Sequence, residues 1–364
     1  FCTLLSKEKT CDTLVVPMSD VEAAEAIRAV MLVGFGALEG YAFATCGMGY
    51  PEAFRSQMGF SRNILLQMFM SAVGSSMLAQ SVLNLISPDK FDNSRVWKYT
   101  SVGFKRVIVG CGILGAGMAI GGSGPTMLPT QIALGTQNSL VTLFGGIVGG
   151  AIFSYLEQNG YFTTNTDPKH GEKLTVEHHF GGHYSVWAAV FGSALIGGAL
   201  AVPMILDTSK DRSSLSPLLT TAPIVAGLSV GLNQIPVRLI SECGQGGSRS
   251  LMQIVHLFTG GKLAKRFSLK RISAGNQLWY VWGGTLIGAV IASAHLSLPS
   301  PHGYSAVEAF VGGLLMMFGS RVAAGCACGH GVSGFSELSL QSMAGAAAMF
   351  GCGILTKLVF NLKN

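Results

Sequence analysis

The chain reads as an all-α, polytopic membrane protein. About nine transmembrane helices are expected, with short re-entrant half-helices between them, in two pseudo-symmetric halves of two repeats each. Three observations predict this architecture. Only 12% of the 364 residues are charged while 49% are hydrophobic, and mean hydropathy is +0.47; a water-soluble chain carries about a quarter charged residues and shows regular polar faces. Lys105 and Arg106 are followed by no charged residue until Glu157. That stretch is too long for one crossing of about 20 apolar residues, so it must hold two crossings and a break. Glycine supplies 49 residues, many of them clustered where apolar runs stop.

The elements follow in order. Phe1 to Asp20 is mixed in character, with Lys7, Glu8, Lys9 and Asp12, and is expected as a peripheral N-terminal segment, not the apolar core of a cleaved signal. Cys2 and Cys11 within it receive no role. Residues 21–160 form the first membrane half, 161–183 a polar loop, and 184–364 the second half. Crossings are expected near 22–46 and 62–87, separated by Pro51–Met58, a segment too brief to span. Those near 104–121 and 136–157 are separated in the same way by Pro125–Leu134. The second half holds runs near 184–206, 219–240, 276–296, 306–324 and 337–359, with short pieces at Ser248–Phe258 and at the turn after Gly331. Proline or glycine opens these short pieces, which predicts half-helices that enter the membrane and turn back. Irregular backbone at that depth is tolerated only where protein or a wet cavity satisfies its amides and carbonyls, so the breaks predict a lined pathway.

Loop charge suggests an orientation. Gly260 to Arg271 holds Lys262, Lys265, Arg266, Lys270 and Arg271 without an acid, and Lys90 to Arg106 is also mostly basic, so both are expected to face the cytoplasm. The mixed, histidine-bearing loop Glu157–His183 is expected on the other side. The +6 net charge then reflects topology and gives no reason to invoke nucleic acid.

Aligning the breaks exposes four related units. "GFGALEGYAFATCGMGYPEAFRSQMG" and "GLNQIPVRLISECGQGGSRSLMQ" each end an apolar run in Cys-Gly-x-Gly. "GAGMAIGGSGPTMLPTQIALGTQNSLVTLFGGIVGG" and "FGSRVAAGCACGHGVSGFSELSLQSMAGAAAMFGCG" each hold a crossing, a glycine break, a short polar segment and a second crossing. Many transporters are built from such paired halves, with binding groups where broken helices meet. Cys46, Cys243 and Cys326 fall at the breaks.

The fourth unit, with "GCACGHGVSG", resembles the YeeE/YedE sulfur-transport family, the thiosulfate permeases. The resemblance extends from about Gly34 to Leu355. It implies that each repeat offers one cysteine to a passing sulfur anion: Cys46 in the first repeat, Cys243 in the third and Cys326 in the fourth. The second repeat departs, with Gly124 before Pro125 where the family usually has cysteine, while Ser123 and Pro125 still shape a helix start. Cys111 lies too far upstream in sequence to be a simple substitute.

A divalent sulfur oxyanion sheds much of its hydration on entering a membrane, and the protein must supply donors without holding it too tightly. A neutral thiol is a weak donor with a polarizable sulfur, and backbone amides at glycine breaks add the positive end of a helix dipole. The expected substrate-contacting set is Cys46, Cys243, Cys326, His330, Ser123 and Gly124, with no catalytic residue, metal ligand or cofactor. Blander assignments stay open. A buried cysteine is often a small hydrophobe, as expected for Cys328 and Cys352; Cys326-x-Cys328-x-His330 lacks the paired loops of usual zinc sites; His330 is either a pathway residue or a satisfied helix-end histidine. Glu39, Arg238, Glu242, Arg249, Arg321 and Glu337 are the intramembrane charges to explain. Arg238 and Glu242 stand four apart, as if to neutralise each other, whereas Arg249 and Arg321 suit anion attraction at pathway mouths. The expected function is a multi-pass permease for thiosulfate or a related small sulfur-containing anion, in a plasma or inner membrane. Its expected partners are that anion, the lipid bilayer and a soluble sulfur-carrier or sulfurtransferase protein. The alternative from another class is a membrane-embedded sulfur-handling enzyme working through a cysteine persulfide.

Overall fold

A computed structural model describes residues 18–95, 102–162, 168–206, 221–265 and 278–362. Most of the expected N-terminal segment, Cys2 and Cys11 included, and Arg266, Lys270 and Arg271 of the basic loop lie outside the described residues. The first stretch folds as α1 (Met18–Cys46), α2 (Pro51–Met58), α3 (Ile64–Ile86) and α4 (Pro88–Asn93). Next come α5 (Phe104–Gly121), α6 (Leu128–Ala133), α7 (Ser139–Gln158), α8 (Pro168–Lys173) and α9 (Val176–Phe180). The remainder holds α10 (Tyr184–Ile205), α11 (Pro223–Ser241), α12 (Gly247–Phe258), α13 (Leu278–Leu296), α14 (Ala306–Val322), a π-helical segment Ala327–Gly334 and α15 (Leu340–Val359).

A long helix therefore stands at each stretch where the apolar runs place one. By length and apolarity seven described helices suffice to cross a membrane, or eight when α14 and the π segment, bent by 49°, count as one broken span. The ninth expected crossing, α13, is present as a 19-residue helix whose tryptophans, tyrosine and histidine set it just apart from those seven. The short segments are present too: α2 has the bounds of the predicted half-helix, α6 falls within Pro125–Leu134, and α12 starts one residue before Ser248. Proline in the first turn of α2 and α6 explains why each starts where it does, since the lost N–H is one a helix leaves unpaired anyway.

Glycine sets how closely the helices pack. A β-carbon on Gly36 would stand 2.1 Å from the Val281 carbonyl oxygen, and one on Gly40 1.9 Å from that of Thr285. Both distances are impossible, so α1 and α13 touch backbone to backbone and run parallel. The α5–α14 pair is antiparallel, with Gly110 against Ala323, Gly117 against Met316 and Gly121 against Gly312. Gly145 and Gly149 of "GGIVGG" seat α7 on the carbonyls of Phe310 and Leu314 in the same way. Such small-residue seams replace the hydrophobic drive that lipid cannot provide. The closest pairings join α1 to α13, α3 to α10 and α11, α5 to α14 and α15, and α7 to α14. Each of these pairings links residues 21–160 to residues 184–364, so the two stretches interleave and each is built largely against the other.

The loops correct one expectation. Arg95, in the basic loop after α3, is ion-paired with Glu177 of the histidine-bearing loop. Gln158, at the end of α7, donates to the Lys262 carbonyl at 3.2 Å. The two basic loops and the histidine loop thus share one face and do not lie on opposite sides. The physical reason is parity: α5 and α7 are two crossings, and the break between them returns the chain to the side it left.

Candidate functional site at the helix breaks

The four glycine breaks converge. A β-carbon on Gly122 would meet Pro51 at 2.7 Å, and one on Gly124 lies 3.7 Å from the Phe54 ring, which joins the second break to half-helix α2. Gly247, the first residue of α12, lies against Pro125 and Thr126, and the Gly246 position is 3.8 Å from Cys326 Sγ. Trp282 of α13 donates to the Pro125 carbonyl at 3.1 Å.

The fourth break is built as follows. The helix α14 ends at Val322, Ala324 takes a left-handed φ of 60°, and Cys326 is extended with φ −103° and ψ −173° before the π-helical turn begins. Left-handed backbone is rare for a residue with a side chain and cannot continue a helix, so the span breaks here. The surroundings hold the break firmly. The His330 amide donates to the Cys326 carbonyl at 2.8 Å, and His330 Nε2 bonds the Ala323 carbonyl at 2.9 Å. A carbonyl only accepts, so Nε2 carries the proton; in the neutral ring Nδ1 then accepts from the Ser342 hydroxyl of α15, 3.1 Å away. His330 ties both sides of the break together and does not reach the cavity wall.

That cavity, of about 20 Å³, is lined by Cys243, Gln245, Ser248, Arg249, Arg321 and Cys326 together with the bare backbone of Gly244, Gly246, Gly325 and Gly329. It has room for about one water. Cys243 and Cys326 are each 1% exposed. Arg321 donates to Ser248 at 3.3 Å. Two sequence-predicted thiols and both predicted anion-attracting arginines are therefore on one wall. Cys46 is not; it is fully buried in a cluster with Met127 of the second break and Ala323 and Val332 of the fourth. Ser123 is buried beside Gly124, and its Oγ meets no hydrogen-bond partner among the described residues.

A family profile described as sulphur transport matches residues 46–355, from the thiol of the first break to beyond that of the fourth. The chain belongs to the sulphur-transport family. No curated protein matches it. The sulphur-transport match and the apolar helices make this a multi-pass membrane protein of a sulfur-transporting family.

Several residues of this sulphur-transport chain behave otherwise than its sequence suggests. Arg238 pairs with Glu337 at 2.5 Å, both side chains fully buried, and not with Glu242. The reason is local: α11 ends at Ser241, and Glu242 takes a left-handed φ of 54°, which takes it off the helix face and leaves it exposed. Arg55 of α2 was not singled out from the sequence. Its guanidinium donates to the Ala119 and Ile120 carbonyls at 3.2 and 2.6 Å, pairs with Glu308 at 2.9 Å and stacks 3.3 Å above the Tyr304 ring. It thereby caps the orphan carbonyls at the end of α5 and fixes α2 to the second break. Among the described residues no three His, Cys, Asp or Glu side chains are grouped to hold a metal.

Proposed function

We propose that the chain is a permease for thiosulfate or a related small sulfur-containing anion, passed along pathway-facing thiols and helix starts. One observation carries this: Cys243, Cys326, Arg249, Arg321 and bare glycine amides line one cavity where the third and fourth breaks meet. Arginine supplies the charge that replaces lost hydration. The α12 start at Gly247 adds unpaired N–H groups and the positive end of a 12-residue helix. Thiols contribute weak donation and polarizability without binding the anion so tightly that it cannot leave. Cys46, Ser123 and Gly124 are assigned to the same pathway, and His330 to holding the fourth break in shape. A space for about one water is too small for thiosulfate, so on this reading passage requires the breaks to part.

The wider reading has two inverted halves, supported by the antiparallel α5 and α14 that lead into the second and fourth breaks. It places the chain in a plasma or inner membrane, with transport in place of catalysis and a soluble sulfur-carrier or sulfurtransferase protein meeting the anion at the loop face. The experiment is uptake of radiolabelled thiosulfate into vesicles containing this protein alone. Wild type should accumulate label above empty vesicles, and Cys326→Ala should abolish uptake while remaining folded. No uptake by wild type removes the permease; normal uptake by Cys326→Ala removes the thiol pathway.

A further inference from the structure

We propose that Glu39 is a proton-binding site that couples anion passage to proton movement, through a hydrogen-bonded chain whose first member, Gln245, is on the cavity wall. The inference rests on the permease reading. Glu39 lies within α1, is 1% exposed, and is met by amides and no cation among the described residues. Asn233 of α11 donates to its Oε1 at 3.0 Å, and Gln245 donates to its Oε2. From Gln245 the chain runs on: Gln234 donates to Gln245 Oε1, and Ser333 in the π segment donates to Gln234 Oε1 at 2.9 Å. Gln245 is also part of the cavity wall beside Cys243 and Cys326.

The elements packed against Glu39 bring it neutral or paired groups. On α11, Arg238 is paired with Glu337. The neighbouring α13 brings Gly284, Thr285 and Gly288 to the α1 seam, and α6 brings Thr130 and Gln131, none of them charged. Cys328 is the titratable group within electrostatic reach.

A carboxylate inside a membrane without a counter-ion is costly, and amide donors offset only part of that cost. The two protonation states also demand opposite partners. A carboxylate only accepts, whereas the acid carries an O–H that needs an acceptor. On protonation, a flip of the Gln245 amide turns Oε1 toward Glu39, and Gln234 must flip in answer. Its amino group then donates to Ser333, whose hydroxyl can still donate to the Gln245 carbonyl at 3.1 Å. Every member is satisfied in both settings, so the chain is a two-state element, and its member next to Glu39, Gln245, is on the wall of the anion site. Glu39 takes its proton from water on the loading side and returns it on the other. The neutral acid also removes a negative charge from beside the anion cavity, so proton and anion each favour the binding of the other, with reciprocal strength.

The test uses purified protein in proteoliposomes with a trapped pH dye. Wild type should take up thiosulfate several-fold faster under an inward proton gradient, and adding thiosulfate outside should acidify the lumen. Glu39→Gln should exchange thiosulfate without moving protons and without response to the gradient. Glu39→Asp, an acid on a shorter stem, should keep proton movement with a displaced pH profile, which secures the test should the glutamine variant misfold. Uptake by wild type without lumenal acidification overturns the coupling alone, and an unshifted Glu39→Asp profile or proton movement by Glu39→Gln overturns the assignment to Glu39. Failure of wild type to move thiosulfate at all overturns the permease reading, and this inference with it.

Discussion

Cys326 and Cys328 stand two residues apart, yet the break gives them different work. Cys326 is the last extended residue before the π turn and lies on the cavity wall, while Cys328 is inside the turn and off that wall. Cys328→Ala should therefore leave thiosulfate uptake near wild type, and a loss equal to that of Cys326→Ala would point to a dithiol site. The second break allows a complementary test. A β-carbon at Gly124 meets only ordinary contacts, 3.7 Å from the Phe54 ring and 4.0 Å from Met118, and its backbone is not left-handed. Gly124→Cys should fold and add one weak donor, worth roughly 1 kcal/mol, or a several-fold change in affinity. Competition of thiosulfate with sulfite, sulfide and selenium analogues should shift by that factor; identical profiles would show that the second break does not touch the anion. The thiols and the two cavity arginines were legible in sequence, because cysteine recurs at equivalent breaks and charge is rare in an apolar run. Gln245, Gln234, Asn233 and Ser333 were not, since uncharged polar residues carry no spacing that marks them as one network. The partner of Arg238 was hidden because it depends on a single left-handed residue, Glu242.

Helix positions were readable for a simple reason: apolar runs and their proline or glycine interruptions have lengths that bilayer thickness constrains. The π-helical turn at Ala327–Gly334 was not readable, because its form depends on His330 reaching back to Ala323 and across to Ser342, contacts made only after α14 and α15 are in place. Glycine seams fall between these cases. Their role in close packing was evident, and which helix each one meets was not. The α1–α13 seam is the most exacting, with Gly40 and Gly288 each leaving 1.9 Å between a would-be β-carbon and the opposing carbonyl oxygen. Gly40→Ala or Gly288→Ala must push the helices apart, a form of overpacking that costs about 1–3 kcal/mol. Either should lower the melting midpoint in detergent by several degrees. Gly34→Ala on the same helix, with nothing within 4 Å of the added carbon, should leave it unchanged. Equal midpoints for all three would show that the seam does not limit stability.

At the scale of the whole molecule, interleaving fixes sidedness as well as packing. Helix α10 is mostly turned outward, with Val186, Val190, Leu200, Met204 and Ile205 exposed, as a surface against lipid requires. The loops at its two ends should then face different compartments. Its N-terminal side carries the histidine loop, joined through Arg95–Glu177 to the loop after α3, while Gln158–Lys262 brings the end of α7 to the loop after α12. Lys90, Arg95, Lys262 and Lys265 gather on this face, and an excess of lysine and arginine in short loops marks the cytoplasmic side. Lys262→Cys and His179→Cys, both at exposed positions, should therefore react with a membrane-impermeant maleimide from the cytoplasmic side only. With Cys2, Cys11, Cys328 and Cys352 replaced by serine, the buried Cys46, Cys111, Cys243 and Cys326 give little background. Labelling of both from outside would invert the orientation and leave the fold intact. Labelling of His179→Cys from outside and Lys262→Cys from inside would be incompatible with the shared loop face, and with the parity of crossings that the helix packing requires.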